Sequence, residues 1–256
     1  MNDARDAAPR RLQLGTSRFE NLPARIVATF ADPSWVSLGE PPPAHGEANA
    51  LSGTVARARR AVGRAVGRAV GRALGRDAPR VAYDPEPYRR TSFLAWYYRP
   101  GLSLPFRDSC FDFAFSEHFF EHLFLDDAFG VLRECHRVLR HGGVLRTSVP
   151  DADLRGYEAP EPVGYGAPVG RSGHRLDWSH PNIHKTRWSI HSLPLLLEQA
   201  GFRPVPLVWC DAAGALHERA PRDLRDAYAG CTDRAMIDRL DYLLRPRSLI
   251  VDAVRL

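Results

Sequence analysis

The residues whose types and spacing could do chemistry are concentrated between positions 110 and 200. His118-Phe119-Phe120-Glu121-His122 reads H-x-x-E-H. On a helix that spacing puts two imidazoles on one face with a carboxylate beside them, the arrangement of a zinc hydrolase. Glu198 would then be a downstream carboxylate. A second concentration holds His174, His180, His184 and His191, with Asp177, Trp178, Lys185 and Trp188 interleaved. His180 and His184 have the spacing of a helical metal pair, but Pro181 between them argues against a continuous helix. One reading of these residues is a lid over a binding cleft, with a histidine or aspartate as general base. The competing reading is a polar loop packed on the edge of a sheet.

These residues must be positioned by regular elements, and the pattern supplies them. Phe111–Ser116 (FDFAFS) alternates and is strongly β-prone. Asp126–Leu139 places Phe129, Leu132, Cys135, His136 and Leu139 near one helical face, with Asp126 or Asp127 at its start and His141-Gly142-Gly143 as its stop. Residues 144–150 (VLRTSVP) form a buried strand closed by proline. Strand, helix, strand over 111–149 predicts a parallel sheet. Upstream, residues 10–15, 24–30 and 35–38 read as three short strands, and the aromatic run from Phe93 as another. Downstream, a helix from Ser189 to Ala200 precedes strands at 205–211 and 248–256, with partial helix over 221–244. Residues 151–187 lack periodicity, and an irregular segment of that length inside a domain is commonly functional.

The chain has 256 residues, 44% hydrophobic and 25% charged, enough to build one α/β domain with appendages around a self-supporting core. Its apolar runs fall far short of the ~18 residues a membrane-spanning helix needs. The polar start, MNDARDAAPRR, shows no secretory signal. Cys110, Cys135, Cys210 and Cys231 lie far apart, without the spacing of a zinc ribbon or disulfide framework, so a cytoplasmic location is expected. The net charge of +5 belongs to one segment: residues 57–76 hold seven arginines and no acid, and without them the remainder carries −2. A specific nucleic-acid partner is therefore not indicated. That segment repeats glycine and arginine every four residues. It reads as part of a linker and basic helical insertion over 41–80, with weak contact to an anionic surface through Arg57–Arg76 as its functional reading.

The stretch LPFRDSCFDFAFSEHFFEHL followed by LRECHRVLRHGGVLRTSVPD resembles the class I S-adenosylmethionine-dependent methyltransferases, in particular the branch (methyltransferase type 11) with an LPF turn, an SEHxxEHL element and an RVLxxGG turn. The resemblance is close over about 102–153 and weaker over 11–40 and 184–211. It implies a doubly wound, mostly parallel Rossmann-like α/β sheet, with residues 10–256 as one domain after a disordered 1–9, and residues 151–191 as an acceptor-side lid. It implies S-adenosyl-L-methionine as cofactor. Gly15 and Thr16 would lie at the first loop, Leu104, Pro105 and Phe106 at the adenine turn, and Ser116 and Glu117 beside the sulfonium. His118, His180 and His184 are the catalytic candidates on the acceptor side. No metal is expected, and a small-molecule or sugar-like acceptor suits the lid's tyrosines, tryptophans and histidines.

The departures from the family are specific. Its glycine-rich first loop, roughly LxLGxG, is here Leu12-Gln13-Leu14-Gly15-Thr16-Ser17. The acid that holds the ribose is replaced by Gly39, with Glu40 as the nearest substitute, and no aspartate precedes the LPF turn. Each lost hydrogen bond of this kind costs about 1–3 kcal/mol. Trp96, Tyr97 and Tyr98 could compensate by stacking, or be core. The degenerate loop motivates an alternative, a non-catalytic methyltransferase-like scaffold or auxiliary subunit, and the H-x-x-E-H zinc hydrolase is a more distant one.

Overall fold

The computed structural model describes residues 10–16, 23–39, 92–96, 98–154 and 184–256. Its strands are β1 (Arg11–Thr16), β2 (Trp35–Gly39), β3 (Ser92–Ala95), β4 (Phe111–Glu117), β5 (Leu139–Val149), β6 (Phe202–Cys210), β7 (Leu216–Glu218) and β8 (Leu249–Arg255). The helices among the described residues are α1 (Ala24–Phe30), α2 (Leu125–Val138), α3 (Leu193–Gln199) and the short α4 (Arg234–Ile237), with 3-10 turns at Phe120–His122, Pro221–Asp223 and Asp226–Tyr228. The strands form one sheet in the order β3-β2-β1-β4-β5-β8-β6-β7. The first five pair in parallel. β8 runs antiparallel between β5 and β6, and β7 closes the edge antiparallel to β6. The order steps outward from β1 to β3 on one side and from β4 onward on the other, so β1 and β4 flank the switch point. This is the doubly wound, mostly parallel sheet that the sequence implies.

Alternation along the strands sends side chains to two cores, one on each face. On one, Leu12, Leu14, Val36, Leu38 and Leu145 meet Val131, Leu132 and Cys135 of α2 and Leu193 and Leu197 of α3. On the other, Trp35, Phe113, Phe115 and Val144 meet Ile26 and Phe30 of α1 and the C-terminal residues Tyr228, Ile237 and Tyr242. The second face also buries an ion pair. Arg146 and Asp252, both fully buried, bond at 2.7 Å through two nitrogens to two oxygens. The Tyr242 hydroxyl accepts from Arg146, the Tyr228 hydroxyl donates to Asp252, and the Ile237 carbonyl takes a further guanidinium proton. Burial opposes the charge on Arg146, but Asp252 more than offsets it and holds the guanidinium protonated.

Two expectations are corrected. Residues 24–30 are a helix rather than a strand. Ile26 and Phe30 lie four apart on the buried face, Arg25 and Ala28 face out, and Thr29 Oγ1 donates to the carbonyl of Arg25. The apolar, β-branched run ARIVATF carries both periods, and packing under the sheet selects the helical one. Second, His141-Gly142-Gly143 does not stop α2. The helix gives way to β5 at Leu139, and the glycines form a bulge in that strand opposite Phe111–Phe113. Gly142 takes φ +75°, and a Cβ there would collide with the backbone carbonyl of Gly230. β7 carries no apolar alternation and is not legible in the sequence.

The expected disordered N-terminus, Glu40, the 41–80 insertion with Arg57–Arg76, Tyr97, and His174 and His180 lie outside the described residues. So does most of the 151–191 segment. Among the described residues no helix is long and apolar enough to cross a membrane.

Candidate functional site

β1 and β4 are adjacent and parallel, with Leu14 opposite Ser116. Their carboxyl ends therefore open on one edge of the sheet, the edge where doubly wound folds bind ligands. Gly15 stands there at φ +68°. A Cβ on it would lie 2.7 Å from three atoms of Phe119, so the space that glycine leaves is filled by a ring from the chain's own SEHxxEHL element. Ser116 is fully buried, and its hydroxyl has no hydrogen-bond partner. The LPF turn is pinned to α2: Glu134 accepts the Leu104 N–H at 2.8 Å, and Arg137 donates to the carbonyls of Leu104 and Phe106. Leu104 is buried, Pro105 is exposed, and Phe106 packs edge to face on Phe111. Trp96 is core, and the Tyr98 hydroxyl donates to Asp127.

Glu117 has a role that its position in the motif does not reveal. Its carboxylate accepts the N–H groups of Leu244 at 3.0 Å and Arg245 at 2.9 Å, tying the loop before β8 to the end of β4. Burial raises its pKa above the ordinary glutamate value, opposed by these N–H groups and by the charges of His118 and Arg245.

His118 sits at φ +52°, a left-handed conformation that a non-glycine residue holds only when its surroundings fix it. Here they do: its N–H donates to the Ser148 carbonyl at 2.7 Å, and Nε2 lies 2.9 Å from Ser248 Oγ. Nδ1 lies 3.1 Å from Glu121 Oε1. Because His118 is left-handed and Phe120–His122 is a single 3-10 turn, the H-x-x-E-H run is not an α-helix and does not present the helical zinc-hydrolase face. Glu121 is 1% exposed.

His184, near the far end of the 151–191 segment, joins this group. Lys185 and Thr186 donate their N–H groups to the Glu121 carbonyl, and Lys185 Nζ donates to the carbonyl of His122. The His122 and His184 rings meet edge to face at 4.8 Å. Burial lowers the His184 pKa below the ordinary imidazole value; Glu121 opposes this, while His122, His118 and Arg245 reinforce it. A cleft of about 770 Å³ opens beside the cluster, lined by His118, Pro150, Asp151, Leu154, His184 and residues 244–248. The buried Asp151, just past β5, accepts the N–H of Cys210 at 2.7 Å and pairs with Trp188 in an isolated parallel bridge. The two described ends of the 151–191 segment thus lie side by side at the cleft.

His118 and His184 both line the cleft. Asp151 and Ser248 join them there, and Glu121 lies against His118, without having been singled out for that place. A carboxylate after a strand-ending proline was the available signal for Asp151; nothing local marks Ser248, which arrives from 130 residues away.

A doubly wound sheet with one antiparallel strand set between β5 and β6, and a cleft at the carboxyl edge, is a Rossmann-like α/β arrangement. A family model described as a methyltransferase domain matches residues 75–147, and the chain is similar to the class I S-adenosylmethionine-dependent methyltransferases, whose cofactor is S-adenosylmethionine. No curated protein matches the sequence. Among solved structures, the chain is similar to an S-adenosylmethionine-dependent methyltransferase from Mesorhizobium loti at 17% identity, covering 98% of this chain and 93% of that one, with a TM-score of 0.43. It is also similar to the 1,6-didemethyltoxoflavin-N1-methyltransferase of Burkholderia thailandensis, solved with 1,6-didemethyltoxoflavin and S-adenosylhomocysteine, at 15% identity, covering 97% and 72%, with a TM-score of 0.42.

Proposed function

We propose that the protein transfers a methyl group from S-adenosylmethionine to a polar, small-molecule or sugar-like acceptor bound in the cleft beside His118 and His184. The observation that carries this reading is the pairing of Leu14 with Ser116. It sets the first loop and the SEHxxEHL element on one sheet edge, next to a cleft of about 770 Å³. The orphaned, buried Ser116 hydroxyl is a group that a ligand on that edge would satisfy. Gly15, Thr16, Ser116, Glu117 and the Leu104–Phe106 turn are the candidate cofactor contacts, with Glu40 for the ribose. His180 joins His118 and His184 as an acceptor-side candidate.

When bound, the cofactor supplies a methyl group already activated on a sulfonium. The chain's own task is then alignment and exclusion of water more than proton removal. His118 lines the cleft with its backbone held by Ser148 and its Nε2 by Ser248, which suits it to position an acceptor. His184, on the same cleft wall, is a second candidate for contact with the acceptor. The reading includes a cytoplasmic setting and weak contact of Arg57–Arg76 with an anionic surface.

One observation favours a second reading, a non-catalytic scaffold: the Phe119 ring fills the space at Gly15, and Gly39 stands where the family has an acid. Calorimetric titration with S-adenosylmethionine and S-adenosylhomocysteine separates the two. Saturable binding of both supports the enzyme; no heat with either ligand up to millimolar concentration leaves the scaffold.

A further inference from the structure

We infer that Glu121, His122 and His184 form a binding site for a divalent transition-metal ion of the zinc class. One ligand atom from each lies within 4.8 Å of the other two. A tetrahedral zinc ion bound at its usual distances separates its donors by about 3.4 Å, so modest side-chain adjustment closes the set. The second observation is the state of the carboxylate. Glu121 is 1% exposed, and neither of its oxygens accepts a hydrogen bond. His118 Nδ1 approaches at 3.1 Å without hydrogen-bond alignment, and His122 Nε2 stands at 4.0 Å. A carboxylate withdrawn from water and left with unfilled lone pairs is costly unless a cation answers it.

The backbone holds the third ligand in place. The N–H groups of Lys185 and Thr186 on the Glu121 carbonyl, and Lys185 Nζ on that of His122, fasten the chain next to His184 onto the 120–122 turn. This preorganises two distant segments around one point. Two imidazoles and one carboxylate suit zinc and its neighbours rather than calcium or magnesium, which prefer all-oxygen shells. Three protein ligands leave a fourth position. His184 is the one of the three ligands in the cleft lining, and an oxygen or nitrogen group of the cleft's occupant would fill that fourth position. His118, touching Glu121 from the cleft side, would orient the carboxylate.

The test uses the full-length chain, stripped with chelator and titrated with cobalt(II), whose visible bands report coordination by nitrogen and oxygen. One saturable equivalent with the spectrum of a four-coordinate site, displaced by zinc, is expected. His184→Asn and Glu121→Gln should each weaken it at least about tenfold, while His217→Asn, on the far edge strand, should leave it unchanged. Absence of saturable binding in the wild-type chain, or equal binding by the His184→Asn protein, would overturn the site and leave a buried ion-pair cluster in its place. If Glu121→Gln fails to fold, His184→Asn at its half-buried position still decides. Cofactor binding plays no part in the readout, so failure here is separate from failure of the methyltransferase reading.

Discussion

Replacing Glu117 by glutamine isolates the link between the end of β4 and the loop that walls the cleft. The carboxylate accepts two N–H groups, from Leu244 and Arg245. A hydrogen bond to a charged group contributes about 1.5–3 kcal/mol. Both N–H groups converge on Oε1, with that of Leu244 also 3.3 Å from Oε2; glutamine keeps the volume and one acceptor oxygen but loses the charge and sets an NH2 in the place of Oε2. Burial disfavours that charge, as the raised pKa of Glu117 records, so its removal returns part of the loss. The net local cost is about 1–3 kcal/mol, which corresponds to about five- to hundredfold faster opening. Amide hydrogen exchange reads this directly. Leu244 and Arg245 should lose protection by that factor in Glu117→Gln, while Leu145 and Val251 in the sheet interior keep theirs. Unchanged protection at both loop amides would refute the anchoring role.

Three further outcomes are expected. Arg146→Met leaves Asp252 in the core without its cation, with the Tyr228 hydroxyl alone donating to it, and should cost about 3–5 kcal/mol, read from denaturant midpoints; a cost below about 1 kcal/mol would contradict the buried pair. Burial favours protonation of Asp112, but hydrogen bonds from Arg140 and Arg10 more than offset it, so its pKa lies below the ordinary carboxylate value. Its stabilisation is therefore complete above about pH 4 and lost as pH falls through the depressed value. Asp112→Asn should flatten that part of the acid-denaturation curve, and an unchanged curve would contradict the coupling. Phe119→Ala removes the ring against Gly15 and should tighten S-adenosylhomocysteine binding about three- to tenfold in calorimetry; weaker binding would make the ring a wall of the cofactor site instead.

The parallel core was legible because β1, β2, β4 and β5 each carry a local pattern, and the LPF, SEHxxEHL and RVLxxGG elements fall in the order the fold requires. What was illegible has physical causes. ARIVATF reads equally as strand or helix until Ile26 and Phe30 find the underside of the sheet. The glycines at 142 and 143 signal a break, but only the approach of Gly230 shows that the break is a bulge inside a strand. At the site, His118 and His184 were readable from residue type. The carboxylate of Glu121 was readable as a letter in a pattern, not as a buried group among three histidines, because that environment is made by chain arriving 63 residues later. Glu117 likewise stands where the family motif suggests a ligand contact, while its hydrogen bonds go to a loop far along the chain.

The central claim, that S-adenosylmethionine binds at the carboxyl edge of β1 and β4, is tested most directly by amide NMR of the full chain titrated with S-adenosylhomocysteine. Saturable shifts at Gly15, Thr16, Leu104 and Ser116, with the β6–β7 hairpin unmoved, are the predicted result. No saturable shift at those amides up to millimolar ligand would contradict the account.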